Sequence, residues 1–483
     1  MAAINFAYEE LAADLEAQIR RGTLRPGDRL PSVRRTSVEQ RRSLSTVLEA
    51  YRRLEMLRLI EARPRSGYYV LPQVVERPPL PLVSPASPAP TSVGTAALIA
   101  QVVRAVADPD AVPLGAALPD ASLLPHAALK RCMTAAMRFD APGGVAQVPP
   151  EGVESLRREI ARREWSAGHV AYHDEILVTA GASEALDVAL RATTSPGDIV
   201  AVESPAFFGV LQAIETLGRR ALDIPVCAEE GIDIDALEAA IAKHPVRALI
   251  VTPNFHNPVG SYMPDASRAR LVALMTEHGI PVIEDDTFGE LYFEGPQPRS
   301  LRAWDEAGWV IRCGSFSKTL APGYRIGWIV PGPRFFEAVR RCKLATSLGT
   351  SAPPQLALAR YLAGGGYDRH LRQLRRTLRD NVARLSAEVC SRFPEGTRIS
   401  RPRGGFVLWI ELPAGTDALT LGRRALAAGI SICPGPIFSP SGGYRSCIRL
   451  SAGHPWSERT EGAVEKLGRM LMALMNHGLN LGG

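Results

Sequence analysis

The chain has 483 residues, 46% of them hydrophobic and 22% charged, and a formal net charge of +6. That length allows about two to four domains with sizeable cores, and the hydrophobic content excludes a disordered chain. The seven cysteines are odd in number and form no CxxC pair, as expected of free thiols in a reducing compartment. Met1 is not followed by a basic stretch and a long apolar run, and no apolar run reaches membrane-spanning length. The expectation is therefore a cytoplasmic protein with no membrane partner. The mild basicity permits nucleic-acid contact without requiring it.

Over residues 8–21, Leu11, Leu15 and Ile19 recur at helical spacing, and Gly22 is placed to end the helix. A Pro26-Gly27 turn leads to a short helix opening near Ser32, and residues 43–54 read as a third helix capped by Ser43 or Ser45. Residues 59–63 and 67–71 form two short strands around Pro64-Arg65-Ser66, a hairpin with a basic tip. This order predicts a winged helix-turn-helix, mostly α with a β wing, over residues 1–71. The third helix would enter the major groove of double-stranded DNA, with Ser43, Ser45, Thr46 and the nearby Arg41 and Arg42 reaching bases or phosphates. Arg63 and Arg65 in the wing would touch the backbone or minor groove. A helical oligomerisation module with a solvated basic face is the alternative.

The same segment resembles the DNA-binding domain of the GntR family of bacterial regulators. The matching residues are Leu30-Pro31-Ser32-Val33-Arg34, the helix at 43–54 and the wing at 59–70. The resemblance implies that Arg34, Ser43, Ser45, Thr46 and Arg65 face DNA. Three places depart from the family pattern: Thr36 stands where a Leu is usual, and Arg41 and Arg42 stand where a Gly and an apolar residue shape the turn. The third is Leu57-Arg58, which brings no glycine before the wing.

Residues 72–94, rich in Pro, Ser and Ala, read as a semi-extended tether between separately folded domains. A proline-rich ligand for another protein is the alternative. Helical periodicity follows at 95–107, 127–137 and 153–165. Short apolar strands then alternate with amphipathic helices, the strands at 176–179, 199–202, 219–224, 248–252, 280–284, 309–312 and 325–330. The alternation predicts an α/β fold with a mostly parallel sheet, whose ligands sit beyond the carboxyl ends of the strands.

Those ends carry chemistry. Gly181, Ala182 and Ser183 open a helix whose N–H groups suit a phosphate. Phe207 follows the second strand, where an aromatic can stack on a pyridine ring. Asn257 sits on a Pro-flanked turn and can hold a ring hydroxyl, and Asp285 can pair with a protonated pyridine nitrogen. Ser315-Phe316-Ser317-Lys318 ends the sixth strand, with Arg325 seven residues on. A partly buried lysine loses its proton cheaply and can form a Schiff base with an aldehyde, while Ser315, Ser317 and Arg325 supply donors for a phosphate dianion. Each feature alone has a bland reading: a solvated turn, a core aromatic, a helix cap. Together they are the set that pyridoxal 5'-phosphate requires.

From about residue 95 onward the chain resembles the fold-type I pyridoxal phosphate enzymes, specifically the class I aminotransferases. This implies a large α/β subdomain over about 110–335 and a smaller C-terminal α/β subdomain over about 336–483. It also implies that Lys318 is the Schiff-base lysine, Asp285 the partner of the pyridine nitrogen, Asn257 the partner of the ring hydroxyl and Phe207 the stacking aromatic. Gly181, Ala182, Ser183, Ser315, Ser317 and Arg325 would form the phosphate cup, and Arg449 would clamp a substrate or effector carboxylate. No metal is expected. Phe288 stands at the cofactor where a Tyr hydroxyl is usual, and Gln147 where a Tyr would reach the neighbouring subunit's phosphate. The missing hydroxyl at 288 implies a raised aldimine pKa.

A GntR-like winged helix joined to an aminotransferase-like domain resembles the MocR subfamily of transcriptional regulators across nearly the whole chain. It implies a homodimer that binds operator DNA and senses pyridoxal phosphate, an amine or an amino acid through an aldimine at Lys318, and is not primarily an enzyme. The rivals are a catalytically active aminotransferase and a cofactor-free dimerisation scaffold.

Overall fold

The computed structural model of the protein describes residues 7–20, 23–24, 27–57, 59–63, 66–71, 78–83, 89–94, 96–106, 108, 110–139 and 145–479. The expected features at Gly22, Pro26, Arg58, Pro64, Arg65 and Thr95, and those in 72–77 and 84–88, lie outside these residues. The chain divides into two compact units, Met1–Arg77 and Pro78–Gly483.

The first unit contains helices α1 (Ala7–Arg20), α2 (Val33–Glu39) and α3 (Leu44–Met56), then the antiparallel strands β1 (Ile60–Arg63) and β2 (Gly67–Val70). In α3, Val47, Ala50, Tyr51 and Leu54 share one face at helical spacing and pack in one core with Leu11, Leu15 and Ile19 of α1. Ser43 caps α3, its Oγ accepting from the Thr46 N–H at 3.1 Å; Ser32 caps α2 in the same way from Arg35 at 3.3 Å.

Two of the departures from the family pattern have physical compensation or a visible cost. Thr36 is buried, and its hydroxyl lies 2.8 Å from that of Tyr51. Tyr51 spends its one proton on the Pro31 carbonyl at 2.9 Å, so Thr36 is the donor in the pair. A polar contact thus fills the place of an apolar one. Tyr51→Phe removes that acceptor inside a core, and is expected to cost about 1–3 kcal/mol in denaturant unfolding of the winged-helix unit. Arg41 adopts φ 50°, the left-handed region in which glycine rests without strain, at a cost of about 1–2 kcal/mol for any other residue.

The second unit opens with α4 (Ala96–Val106), β3 (Val112–Pro113), α5 (His126–Phe139) and α6 (Glu154–Ser166). Its main sheet is formed by β4 (Leu177–Thr179), β5 (Ile199–Ser204), β6 (Arg220–Cys227), β7 (Gly231–Ile232), β8 (Val246–Val251), β9 (Val282–Asp285), β10 (Val310–Ser315) and β11 (Gly327–Val330). The order is β4-β11-β10-β9-β8-β5-β6-β7. Strands β10, β9, β8, β5 and β6 run parallel, and β11, β4 and β7 join antiparallel. Residues of β5, β9 and β10 are buried throughout, and each strand opens on an apolar run, Ile199–Val202, Val282–Ile283 and Val310–Ile311, before its polar end. Helices α7 (Ala182–Thr193) and α8 (Phe208–Thr216) pack on one face of the sheet.

A second, smaller sheet contains β12 (Arg398–Ile399), β13 (Val407–Glu411), β15 (Cys433–Pro434) and β16 (Cys447–Ser451), while β14 (Ile430–Ser431) pairs with β3. In helix Gly332–Ser347 the fully buried Lys343 donates to both Glu184 oxygens of α7 at 3.0 and 2.9 Å. In helix Ala352–Ala363, Gln355 accepts from the Val153 N–H at 2.8 Å. Both helices are thus tied to elements that precede residue 335. The tether is also shorter than expected, because Pro78, Pro79 and Leu80 present their carbonyls to Arg401, the Ile399 N–H and Arg398 at 2.9, 3.1 and 3.2 Å. Thr91 and Ala221 exchange backbone bonds at 2.8 and 3.0 Å. Proline lacks an N–H but keeps its acceptor, so a proline-rich segment can still dock one-sidedly. No helix of the described residues is long and apolar enough to cross a membrane.

Candidate functional site

The parallel strands deliver their carboxyl ends to one pocket. Ala182, Ser183, Phe207, Asn257, Asp285, Phe288, Ser315, Ser317, Lys318 and Arg325 all line it, joined by Leu118, Leu186, Thr252 and Thr287. The half-buried Lys318 points its Nζ at the Ala117 carbonyl, 2.6 Å away, and 5.7 Å from the centre of the Phe288 ring. Burial, reinforced by the charge of Arg449, pulls the Lys318 ammonium down to about 8 against the opposing pull of Asp285. A neutral, nucleophilic amine is thus accessible near neutral pH.

Asp285 ends β9 and is buried. Its Oδ1 accepts from both the N–H, at 3.1 Å, and the hydroxyl of Thr287. Burial pushes its carboxyl up, and the Thr287 bonds partly offset this. Thr287 was not singled out from sequence; a hydroxyl two residues after a strand-end acid is the signal that would have found it. Phe288 is buried, packed 5.4 Å from Phe406 in the apolar core of the smaller subdomain. Its ring offers no donor to the pocket.

At the other end of the pocket, the Ser317 N–H donates to Ser315 Oγ at 3.1 Å, the two hydroxyls lie 2.9 Å apart, and Arg325 Nη1 donates to Ser317 Oγ at 3.3 Å. Arg325 Nη2 reaches the Ala180 carbonyl at 3.3 Å, beside the start of α7. Gly181 has φ +87°, and a Cβ there would run into the Arg325 guanidinium. Only glycine lets the helix opening and the guanidinium close on the same small space. Gly181→Ala is expected to weaken binding of a phosphate-bearing ligand at least tenfold, read by titrating pyridoxal phosphate into wild type and variant.

Arg449 stands on β16 beside Cys433 of β15. It is buried, with Nη1 donating to Asn257 Oδ1 at 2.8 Å and Nη2 to the Gly115 carbonyl at 2.6 Å. Its Nε has no hydrogen-bond partner among the described residues, and no carboxylate is paired with its charge among them. Burial lowers its pKa. A buried guanidinium without an anion is poised to take one. Gln147 is exposed and lies outside the pocket that Lys318 lines.

These features fit pyridoxal phosphate. Hydroxyl, guanidinium and helix N–H donors converge where a phosphate needs them, a carboxylate ends the neighbouring strand, and a depressed lysine lies between. In the winged-helix unit, Arg34, Arg41, Ser43 and Ser45 are exposed and Thr46 is half-buried. Arg42 pairs with Glu10 at 3.0 Å, and Arg63 pairs with Glu61 at 2.6 Å while stacking 4.5 Å over Tyr69. Such exposed pairs are worth about 0–1 kcal/mol and exchange readily for a phosphate. Arg65 lies outside the described residues.

Residues 120–467 match the aminotransferase class I and II family, and residues 7–70 match the bacterial regulatory proteins of the gntR family. The chain is 40% identical over 464 residues to the uncharacterized HTH-type transcriptional regulator YdcR of Escherichia coli, spanning 96% of this chain and 98% of that protein. It is 36% identical to YjiR of the same organism, over 97% and 99% of the two chains. Among solved structures it is similar to LysN, the alpha-aminoadipate aminotransferase of Thermus thermophilus complexed with N-(5'-phosphopyridoxyl)-L-leucine. That likeness has a TM-score of 0.73 at 31% identity and covers 78% of this chain and 95% of that one. The winged helix, the strand-end pocket and these full-length relatives together place the chain in the MocR subfamily of GntR-family regulators, in which the aminotransferase-like domain takes pyridoxal phosphate as its cofactor.

Proposed function

We propose that the protein is a transcription regulator whose affinity for operator DNA is set by what occupies the Lys318 pocket. When bound, pyridoxal phosphate supplies an aldehyde that condenses with primary amines and a ring that withdraws electrons from them. Lys318 presents the amine that holds the aldehyde, Asp285 holds a proton at the ring nitrogen, and Asn257 holds the ring oxygen. Gly181, Ala182, Ser183, Ser315, Ser317 and Arg325 hold the phosphate, and Phe207 covers the ring. Arg449 takes the carboxylate of an amino-acid effector. In the winged helix, Arg34, Arg41, Arg42, Ser43, Ser45, Thr46, Arg63 and Arg65 meet DNA. The protein works in the cytoplasm as a homodimer, whose paired winged helices read two half-sites.

The observation that carries this reading is the union of an intact cofactor pocket with a DNA-reading unit that catalysis alone does not need. The test is binding of the purified protein to DNA upstream of its own and the neighbouring genes, against scrambled DNA of equal length. Specific binding is expected, with a salt dependence that weakens by about one ion when Arg34 becomes Ala; no preference for the upstream DNA under any condition contradicts the reading. A second reading, an active aminotransferase, is favoured by Lys318, Asp285 and Arg449 standing together in one site. Turnover of an amino acid and a keto acid by the purified protein would support it.

A further inference from the structure

Beneath the pocket, one buried carboxylate has no cation of its own. Glu203, on β5, is buried, and its Oε2 accepts from the Thr252 N–H at 2.8 Å and lies 3.2 Å from His256 Nε2. The buried His256 ring accepts from the Val259 N–H at Nδ1, 3.4 Å away, so its proton sits on Nε2 and points at Glu203. Two N–H donors on one oxygen suit the carboxylate form. Glu203 Oε1 has no hydrogen-bond partner, and no Lys or Arg pairs with this side chain, among the described residues. The acids on either side of Asp285 are already engaged. Glu284 accepts from the Ser300 hydroxyl at 2.5 Å and the Leu301 N–H at 3.1 Å. Asp286 pairs with Arg312 and accepts from Asn254 Nδ2 at 2.8 Å. An unpaired buried charge is costly to keep, so Glu203 calls for a cation that arrives with a ligand.

Strand β8 lies between β5 and β9, and Val251 of β8 stands opposite Glu284 of β9. Thr252 and Asp285 therefore end adjacent strands side by side, and both line the Lys318 pocket. Glu203 holds the Thr252 N–H from the β5 side. We propose that Glu203 is a positioning residue whose negative charge, fixed by Thr252 and His256, acts with Asp285 to keep a proton at the ring nitrogen of bound pyridoxal phosphate. The inference rests on the Lys318 pocket holding that cofactor. A cation near two carboxylates keeps its proton to higher pH than one near a single carboxylate. Burial pushes the Asp285 carboxyl up, and the Glu203 charge adds to that push against the Thr287 bonds and Lys318. The other titratable group beside Asp285 is Cys313 of β10, whose thiol burial pushes up and so keeps neutral. Arg449 and Arg325 act on Lys318. Glu203 is thus the carboxylate left to support Asp285.

The test is nitrogen NMR of the full chain loaded with pyridoxal phosphate that is isotopically labelled at the ring nitrogen. Its chemical shift reports whether that atom carries a proton, and it is followed against pH in wild type, Glu203→Gln and Glu203→Asp. The glutamine keeps the shape of the side chain and removes the charge. The ring nitrogen is expected to be protonated in wild type at neutral pH, and to lose its proton at least about one pH unit lower in Glu203→Gln. A loaded Glu203→Gln that titrates as wild type does, or a wild-type ring nitrogen without a proton at neutral pH, overturns the inference alone. Loading is read first from the visible absorbance. A wild type that acquires none overturns the inference together with the cofactor reading beneath it. Glu203→Asp keeps the charge and decides the matter if the glutamine variant does not load. A ring proton held as in wild type is then expected, and one lost at lower pH overturns the role of the charge.

Discussion

Lys318→Ala is expected to abolish the visible absorbance that the wild-type protein acquires on addition of pyridoxal phosphate. The alanine variant retains the phosphate donors Ser315, Ser317 and Arg325, so pyridoxal phosphate still binds it reversibly and is removed by dialysis. The pH dependence follows from the lysine's surroundings. Burial and the neighbouring charge of Arg449 lower the Lys318 ammonium to about 8. Below that value the amine is mostly protonated and cannot attack, so the rate at which the visible band forms should fall about tenfold per pH unit. Above about 8 it should level off. A rate still rising through pH 10 would mean that the lysine behaves as an exposed one.

Arg449→Met is expected to have the second large effect, on the discrimination between an amino acid and its decarboxylated amine. The wild-type guanidinium is buried with its Nε unpartnered among the described residues, and its Nη atoms are anchored by Asn257 and Gly115. Removing one partner of a buried charge pair costs about 2–5 kcal/mol. The preference for the amino acid should therefore fall by roughly 300-fold, the middle of that range at about 1.4 kcal/mol per tenfold. The measurement is the ratio of the two affinities, from spectral titration of the cofactor-loaded protein. A ratio is insensitive to partial unfolding of the variant, which would weaken both ligands alike. Equal loss for both, with the ratio intact, would show that Arg449 serves packing and not the carboxylate.

Much of the pocket was legible because each parallel strand of this fold ends beside its neighbours, so residues scattered from Gly181 to Arg325 meet at one edge. The apolar runs of β5, β9 and β10 marked the strands, and the polar residues just after them marked the pocket. The strand β7 was not legible, since Gly231–Ile232 is too short for any period to register. Thr287 was passed over because its role lies in a contact to Asp285, which residue type alone does not reveal. The partners of helices Gly332–Ser347 and Ala352–Ala363 were not legible, because the helices carry no local sign of what they pack against; the Lys343–Glu184 pair links residues 159 apart. In the winged helix, Thr36 looked like a flaw until Tyr51 supplied its partner, and Arg41 shows that a strained turn can be held without glycine.

The proposed function rests on coupling between the Lys318 pocket and DNA binding, and one measurement meets it directly. Operator affinity is measured at fixed salt for wild type and Lys318→Ala, each without ligand, with pyridoxal phosphate, and with pyridoxal phosphate plus an amino acid. A ligand-dependent change in affinity in wild type that is lost in Lys318→Ala is the expected result. Operator affinity that ignores the ligands in wild type, or shifts equally in both proteins, would contradict it.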